Sequence, residues 1–249
     1  MKNFFKRILE VLFPPNLQCI ICRKELAHAN RKCVCEECET KLPYIVHPCE
    51  KCGEEVVGEG RFCEACKFVE RDFDKCYSVF NYDGAAKKLV YKLKYEGKKY
   101  LAEYMAKYLS DLIVLRNIDF DIVTFVPVCK KRKRRRGYNQ AELLANSVAL
   151  DMKVECVELM QRVKETPSQV ELSFKDRLEN IKDAFVITDK NLVKGKTILV
   201  IDDVLTTGAT LNECAKVLKK AGANKVIGLT FANTPRAVKF EEPTKTAIK

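Results

Sequence analysis

The sequence predicts an α/β protein with a mostly parallel central sheet, preceded by a small cysteine-rich unit. After residue 70, apolar strand-like runs alternate with stretches of helical spacing, the arrangement that gives parallel strands covered by helices on both sides. Residues 197–201 are apolar or β-branched without alternation, as expected of a strand buried on both faces. The first 66 residues instead concentrate paired cysteines. We therefore expect two domains, residues 1–70 and residues 71–249.

Length and charge limit the range of functions. A chain of 249 residues can build one substantial α/β core with a small appendage. Its formal net charge of +11 favours polyanionic partners, whether nucleic acid, phosphorylated small molecules or an anionic membrane surface. No run approaches the roughly 20 apolar residues that a membrane-spanning helix needs, so the sequence predicts no transmembrane segment.

The N-terminal residues 1–13 predict an amphipathic helix that ends at Pro14 and Pro15. Charged residues interrupt its apolar positions and no small-residue cleavage site follows, so it is not a signal peptide and we expect a cytoplasmic protein. The helix either packs on the protein itself or docks on a partner protein or a membrane, which would make the chain peripheral to the inner face of the cell membrane.

Eight of the thirteen cysteines form four CxxC pairs, a spacing that lets both thiolates of a pair bind one tetrahedral Zn²⁺. Because the chain lacks a secretion signal and Cys33 lies unpaired among the motifs, metal is favoured over a disulfide framework. Four thiolates leave no open coordination position, which predicts structural zinc. Pairing in chain order gives Cys19, Cys22, Cys35 and Cys38 at one ion, and Cys49, Cys52, Cys63 and Cys66 at the second.

The remaining elements are predicted from apolar spacing. A strand is expected over residues 73–84, followed by two helices over 85–97 and 98–115. The later elements are a strand over 120–128, a helix over 139–151, a short strand near Cys156 to Met160, a strand over 184–188, the strand that begins at residue 197, a helix from about Leu211 to Gly222, and a strand over 225–233.

Two adjacent carboxylates, Asp202 and Asp203, stand at the carboxyl end of the buried strand, the end that faces the ligand crevice of an open α/β sheet. The residues that follow are small or hydroxylated and lead into a helix, so their backbone N–H groups can surround an anion. The carboxylates would repel a bare phosphate. A sugar phosphate, which carries hydroxyl groups beside its phosphate, satisfies both features.

The largest concentration of charge is the run of seven basic residues from Lys130 to Arg136. We expect this run to form a turn between a parallel strand and the helix near Asn139, on the same sheet edge as the carboxylates. It would contact a diphosphate, single-stranded nucleic acid, or only solvent.

The polar residues 161–182 have a length and composition that suit a loop closing over a ligand, with an ordinary surface excursion as the alternative.

The stretch VIDDVLTTGAT resembles the phosphoribosyl-pyrophosphate (PRPP) motif of the type I phosphoribosyltransferases. Over essentially its whole length, the chain is similar to the ComF competence family, in which a zinc ribbon precedes such a domain. RRGYNQAELLA, RVKETPSQVELSFKDRLENIKDAF and TILVIDDVLTTGATLNECAKVLKKAGA support the resemblance, in family order. It implies a type I phosphoribosyltransferase fold with a mostly parallel central sheet, plus an N-terminal zinc-ribbon domain.

The resemblance also implies roles for particular residues. Asp202 and Asp203 would contact the ribose hydroxyls of PRPP, directly or through water linked to Mg²⁺. The 5′-phosphate would be held by Thr206, Thr207, Gly208, Ala209 and Thr210. The pyrophosphate would lie in or beside Arg134, Arg135, Arg136 and Gly137. Arg162 and Lys164 would belong to the mobile catalytic loop, which also contains Thr166.

The function implied by the resemblance is DNA uptake during natural transformation, with a helicase-like ATPase as partner. The zinc ribbons and the basic surface would then engage single-stranded DNA or the ATPase, and PRPP or a related nucleotide would be a regulatory ligand. The alternative is an active phosphoribosyltransferase that transfers phosphoribose to a base or an amine in nucleotide salvage or synthesis. Catalysis would then consist of stabilising the positive charge that builds on the sugar and the negative charge on departing pyrophosphate.

Overall fold

Parallel strands and helices alternate along most of the chain in a computed structural model, which describes residues 18–26, 33–164 and 181–234. The predicted N-terminal helix and most of the predicted covering loop lie outside the described residues. The described helices are α1 (Glu36–Glu39), α2 (Glu64–Phe68), α3 (Gly84–Tyr95), α4 (Leu101–Leu115), α5 (Lys130–Arg136), α6 (Gln140–Met152) and α7 (Ala209–Lys220). The strands are β1 (Lys75–Asn81), β2 (Ile122–Phe125), β3 (Met160–Arg162), β4 (Phe185–Ile187), β5 (Thr197–Leu205) and β6 (Lys225–Asn233). In the part of the chain described, no helix is long and apolar enough to cross a membrane.

Four strands form a fully parallel sheet in the order β1-β6-β5-β2, which confirms the predicted architecture. The strand expected near Cys156 to Met160 is wrong in its details. Cys156 makes one parallel bridge to Val123 at the edge of the sheet, and β3 starts later and pairs antiparallel with β4. Between the bridge and β3, Leu159 N donates to Thr124 Oγ1 of β2 (3.4 Å), and its carbonyl accepts from Thr188 N, just after β4 (3.0 Å).

The absence of alternation in β5 has a simple cause, since both faces of the strand are buried. Ile198 and Val200 belong to one apolar core, which α7 and the β3–β4 pair cover. Leu199 and Ile201 belong to the other core, which α3, α4 and α6 cover. All four side chains are fully buried. Every residue of this strand must therefore be apolar until it reaches the open end of the sheet.

The cysteine-rich segment packs directly against the α/β sheet. Cys76 N in β1 donates to Lys51 O (2.8 Å), and Asn233 Nδ2 at the end of β6 donates to Cys52 O (3.2 Å). On the other side, Tyr108 Oη of α4 donates to Glu39 Oε1 of α1 (2.7 Å). The segment thereby covers the outer edge of β1, whose backbone groups would otherwise be unpaired.

The basic run is a helix, α5, where the sequence analysis expected a turn. Lysine and arginine have high helix propensity, and Gly137 ends the helix in the left-handed conformation (φ 81°), with its N–H donating to Lys133 O (2.8 Å). Repulsion along the run is relieved by an ion pair between Lys133 and Glu142 of α6 (2.9 Å). The helix nevertheless lies where the turn was expected, between a parallel strand and α6.

Gly53 brings the cysteine-rich segment close to the backbone of β1. It has φ +70°, and an added Cβ would lie 2.8 Å from Cys76 O and 3.0 Å from Ser78 N. We predict that Gly53→Ala lowers the free energy of unfolding by about 3 kcal/mol, through backbone strain and a clash with β1 that cannot relax easily. Gly58→Ala is the matched control, because Gly58 has φ +84° with open space around it, and should cost only about 1 kcal/mol. Chemical denaturation of the zinc-loaded proteins measures both, and equal losses would contradict the prediction.

Candidate ligand-binding site

The candidate site lies at the carboxyl ends of β2 and β5, where an open α/β sheet forms its ligand crevice. These ends are adjacent, since Val126 N donates to Ile201 O (3.0 Å). The chain continues from β2 to α6 on one face of the sheet and from β5 to α7 on the opposite face. Open α/β sheets bind ligands at such a point, where the connections that follow two neighbouring strands run to opposite faces of the sheet.

The two predicted carboxylates lie at this crevice in different environments. Asp203 is buried, and its Oδ1 accepts from Val204 N (3.0 Å). Asp202 is mostly buried, and its Oδ1 accepts from Asp203 N (2.8 Å). Burial, and then the negative charge of Asp203, raise the pKa of Asp202 well above its ordinary value. Hydroxyl donors or a cation next to Asp202 would therefore stabilise its charged form.

Lys94, in the last turn of α3, is the residue that sequence reasoning missed. Its Nζ lies 2.6 Å from Asp203 Oδ2, which makes an ion pair. Burial disfavours the charged ammonium group, but Asp203 and then Asp202 outweigh burial and raise the pKa of Lys94. The available signal was spacing, because Lys94 stands four residues after the buried Val90 and so belongs to the inner face of α3.

The residues after β5 form the TTGAT loop, defined as Thr206, Thr207, Gly208, Ala209 and Thr210. Gly208 adopts φ 75° and caps α7, so the helix begins at Ala209, two residues before the predicted start. Thr207 is buried, and its Oγ1 accepts from Ala209 N (3.3 Å). Gly208 makes no side-chain cap, so the positive end of a twelve-residue helix faces the turn beside the carboxylates.

The basic helix α5 borders a cavity of about 390 Å³ lined by Lys94, Tyr95, Glu96, Gly97, Arg135, Arg136 and Tyr138. Arg136 donates to Gln140 Oε1 and lies 5.4 Å from the ring centroid of Tyr95. Of the predicted pyrophosphate residues, Arg135 and Arg136 line this cavity. Arg134 is exposed outside it, and Gly137 serves as the C-cap of α5.

Arg162 and Lys164 stand at the start of the predicted covering loop. Arg162 is buried, its Nε donates to Lys164 O (3.3 Å), and its guanidinium lies 5.6 Å from the ring centroid of Phe185. Burial, and then the charge of Arg132, lower the pKa of Arg162, while Asp202 acts in the opposite direction. Lys164 Nζ donates to Lys182 O (2.9 Å), which ties together the two ends of residues 165–181.

The eight predicted zinc ligands assemble as two separate groups of four thiols, in the predicted order. In each group the sulfur atoms lie within 4.8 Å of one another. The Sγ atoms of Cys22 and Cys35 are 3.6 Å apart, and those of Cys52 and Cys63 are 3.5 Å apart. Four Zn–S bonds of about 2.3 Å give sulfur separations of about 3.8 Å in a tetrahedron, so both groups fit structural zinc. Cys33 is buried outside both groups, and burial raises the pKa of its thiol to about 12.

The ion pair between Lys94 and Asp203 gives a stability prediction. Lys94→Met leaves a buried carboxylate without its partner and should lower the free energy of unfolding by about 3 kcal/mol. Lys94→Met combined with Asp203→Asn removes both charges and should recover most of that loss. Lys92→Met is the control, because Lys92 pairs with Glu96 near the surface (2.9 Å) and should cost less than about 1 kcal/mol. If the free energy of unfolding that the double variant loses equals the sum of the losses of Lys94→Met and Asp203→Asn, the two side chains are not coupled.

Comparison with known proteins agrees with this architecture. Residues 8–67 match the double zinc ribbon domain, and residues 115–248 match the phosphoribosyl transferase domain. Competence protein F of Haemophilus influenzae is 30% identical over 91% of this chain and 96% of that protein. The DNA utilization protein YhgH of Salmonella typhimurium is 29% identical over 84% of this chain and 93% of its own length. Competence protein ComFC of Streptococcus pneumoniae is 28% identical over 81% and 88%, respectively.

The fold expected from the resemblance is thus confirmed: a type I phosphoribosyltransferase fold with a parallel central sheet and an N-terminal cysteine-rich zinc ribbon. The similarity to competence protein F extends over almost the full length of both chains. The chain therefore belongs to the competence protein F family.

Proposed function

We propose that this protein binds PRPP together with Mg²⁺ in the crevice between β2 and β5, and that it acts in DNA uptake. The observation that carries the proposal is the sequence of groups at the end of β5: a mostly buried carboxylate, a lysine-paired carboxylate and the TTGAT loop at the start of α7. The chemistry suits a ligand with hydroxyl groups beside a phosphate. The names of the relatives, competence and DNA utilization proteins, support the biological role.

In this proposal the two carboxylates have different tasks. Asp203 is held by Lys94 and fixes the end of β5. Asp202 has no such cationic partner among the described residues and receives the ribose hydroxyls, either directly or through water bound to Mg²⁺. The TTGAT loop holds the 5′-phosphate through backbone N–H groups and hydroxyls. Arg135 and Arg136, in the cavity next to Lys94, bind the pyrophosphate.

Transfer of the phosphoribosyl group is the second candidate function. It is favoured by the cationic cavity, because departing pyrophosphate gathers negative charge that Arg135 and Arg136 would stabilise. Arg162, the last residue of β3, and Lys164, which follows that strand, are the proposed catalytic residues. Release of pyrophosphate from PRPP when bases or amines are supplied, above the rate without them, distinguishes transfer from binding alone.

The binding prediction concerns Asp202. Calorimetric titration of the zinc-loaded protein should detect binding of PRPP in the presence of Mg²⁺. Asp202→Asn should weaken this binding about 100-fold, because a neutral amide has one acceptor oxygen where the carboxylate has two and carries a negative charge. Asp119→Asn, on the exposed segment before β2, should bind as the wild type does. Equal affinities for all three proteins would place the ligand elsewhere, and no binding by the wild type would overturn the proposal.

Single-stranded DNA is the proposed macromolecular partner, and exposed aromatic and basic side chains of α3 and α5 support it. Tyr91 and Tyr95 of α3 are each more than half exposed, with ring centroids 5.1 Å apart. The exposed Lys130, Lys131 and Arg134 of α5 supply positive charge. Bases stack on aromatic rings while cationic side chains follow the phosphates. A helicase-like ATPase remains a proposal from the family resemblance.

We predict that replacing Lys130, Lys131 and Arg134 with glutamine weakens binding of an unstructured DNA strand. The negative slope of log K against log salt should become shallower by about 2, because each lost phosphate contact removes about 0.7 from its magnitude. The matched control replaces Lys190, Lys196 and Lys225, which are equally exposed at the opposite, amino end of the sheet. Its slope should not change. Binding that is absent, independent of salt or equally sensitive to both triple variants would contradict a DNA surface at α5. Fluorescence anisotropy at four or five salt concentrations measures the slopes.

A further inference from the structure

Arg71 is a buried cation in the segment between the second cysteine group and β1. Only 9% of the residue is exposed, and its Nε and Nη2 are buried without a hydrogen-bond partner in the part of the chain that the structure describes. The ring centroid of Phe73 lies 6.0 Å from the guanidinium carbon. A buried guanidinium with unsatisfied N–H groups is costly to maintain, so its position calls for an anionic partner.

The guanidinium lies against the TTGAT loop. A Cβ added to Gly208 would be 3.3 Å from Arg71 Nη1 and 3.6 Å from Arg71 Cζ. Gly208 is the N-cap of α7, so the positive charge of Arg71 stands beside the positive end of that helix. Two positive groups that converge on one point are the electrostatic arrangement of an anion site.

The backbone next to Arg71 is fastened to the same helix. Asp72 N donates to Asn212 Oδ1, and Asn212 Nδ2 donates back to Asp72 Oδ2, both at 2.7 Å. Asn212 N in turn donates to Gly208 O (2.8 Å). Two residues further on, Asp74 pairs with Lys219 of α7 (2.7 Å). The Arg71 side chain is thus positioned by the structure around it and does not lie there as a free surface group.

We propose that Arg71 is a further ligand of the phosphate group that the TTGAT loop binds, supplied by the segment that follows the zinc ribbon. The inference rests on the proposed function for the identity of that phosphate, the 5′-phosphate of a phosphoribosyl ligand. The guanidinium N–H groups of Arg71 donate to the phosphate oxygens beside the start of α7. Because the second cysteine group and the sheet fix the segment between them, the zinc ribbon helps to set the affinity for the ligand.

The test compares Arg71→Met with Arg71→Lys and with the control Arg61→Gln, an exposed ribbon arginine that pairs with Glu50 (2.7 Å). Ribose 5-phosphate, inorganic pyrophosphate and PRPP with Mg²⁺ are titrated separately into the full-length, zinc-loaded proteins. Arg71→Met should weaken the binding of ribose 5-phosphate and of PRPP by the same factor, about 10- to 100-fold, and leave the affinity for pyrophosphate unchanged. Arg71→Lys should recover part of the loss, and Arg61→Gln should have no effect.

A purely structural role for Arg71 predicts a different pattern, because loss of a structural residue lowers the unfolding temperature. Our proposal expects the unfolding temperature of ligand-free Arg71→Met to be at least that of the wild type, since an unsatisfied buried charge is removed. Arg71→Met that is folded and binds ribose 5-phosphate as tightly as the wild type overturns the proposal. So does a drop in unfolding temperature without a change in affinity.

The outcomes also separate this inference from the proposed function. If the wild type binds ribose 5-phosphate but not PRPP, and Arg71→Met loses that binding, Arg71 is a phosphate ligand and the PRPP proposal fails. If PRPP binds equally to the wild type and Arg71→Met, the PRPP proposal stands and the role of Arg71 is wrong. If the wild type binds none of the three compounds, both are overturned.

Discussion

Burial of β5 on both faces is the constraint on which the rest of the structure depends. Ile198 and Val200 fill one core while Leu199 and Ile201 fill the other, so the strand cannot shift by one residue without exchanging its contacts on both sides. That register delivers Asp202 and Asp203 to the open end of the sheet and starts α7 immediately afterwards. The site is therefore a consequence of where the central strand leaves the apolar interior.

Charge in the crevice is balanced by pairs that lie far apart in the sequence. Asp203 and Lys94 are 109 residues apart in the sequence and neutralise one another. The fold brings them together because it places the end of α3 next to the end of β5. Asp202 keeps an unfavourable environment for its own charge. Arg135 and Arg136 line a cavity together with the same lysine. Buried carboxylates next to concentrated cations suit a ligand that brings both hydroxyl groups and phosphates, which is the chemistry behind the proposed function.

The cysteine-rich segment is structurally part of the α/β unit. Cys19, Cys33 and Cys38 lie in the same apolar core as α4, and Cys49, Cys52 and Cys63 lie in the same core as β5 and α7. The division into domains at residue 70 stays a prediction, but the packing of the two parts is continuous. Gly53 permits the close approach to β1, and Arg71 extends from the junction to the TTGAT loop. The chain that follows the cysteine-rich segment thus contacts the TTGAT loop, which belongs to the other part of the chain.

The sequence by itself determined the features that depend on local spacing. The CxxC pairs assigned the two cysteine groups, apolar periodicity located most strands and helices, and the motif at Asp202 identified the fold, which the structure and the relatives confirm. Tertiary structure alone decided the features that depend on long-range packing. It supplied Glu142 as the partner of Lys133 in α5, paired β3 with β4 instead of with the parallel sheet, and placed Lys94 beside Asp203 and Arg71 beside the TTGAT loop. Lysine and arginine are ordinary surface residues in any local pattern, and only burial beside a carboxylate or a helix N-terminus gives them a specific task.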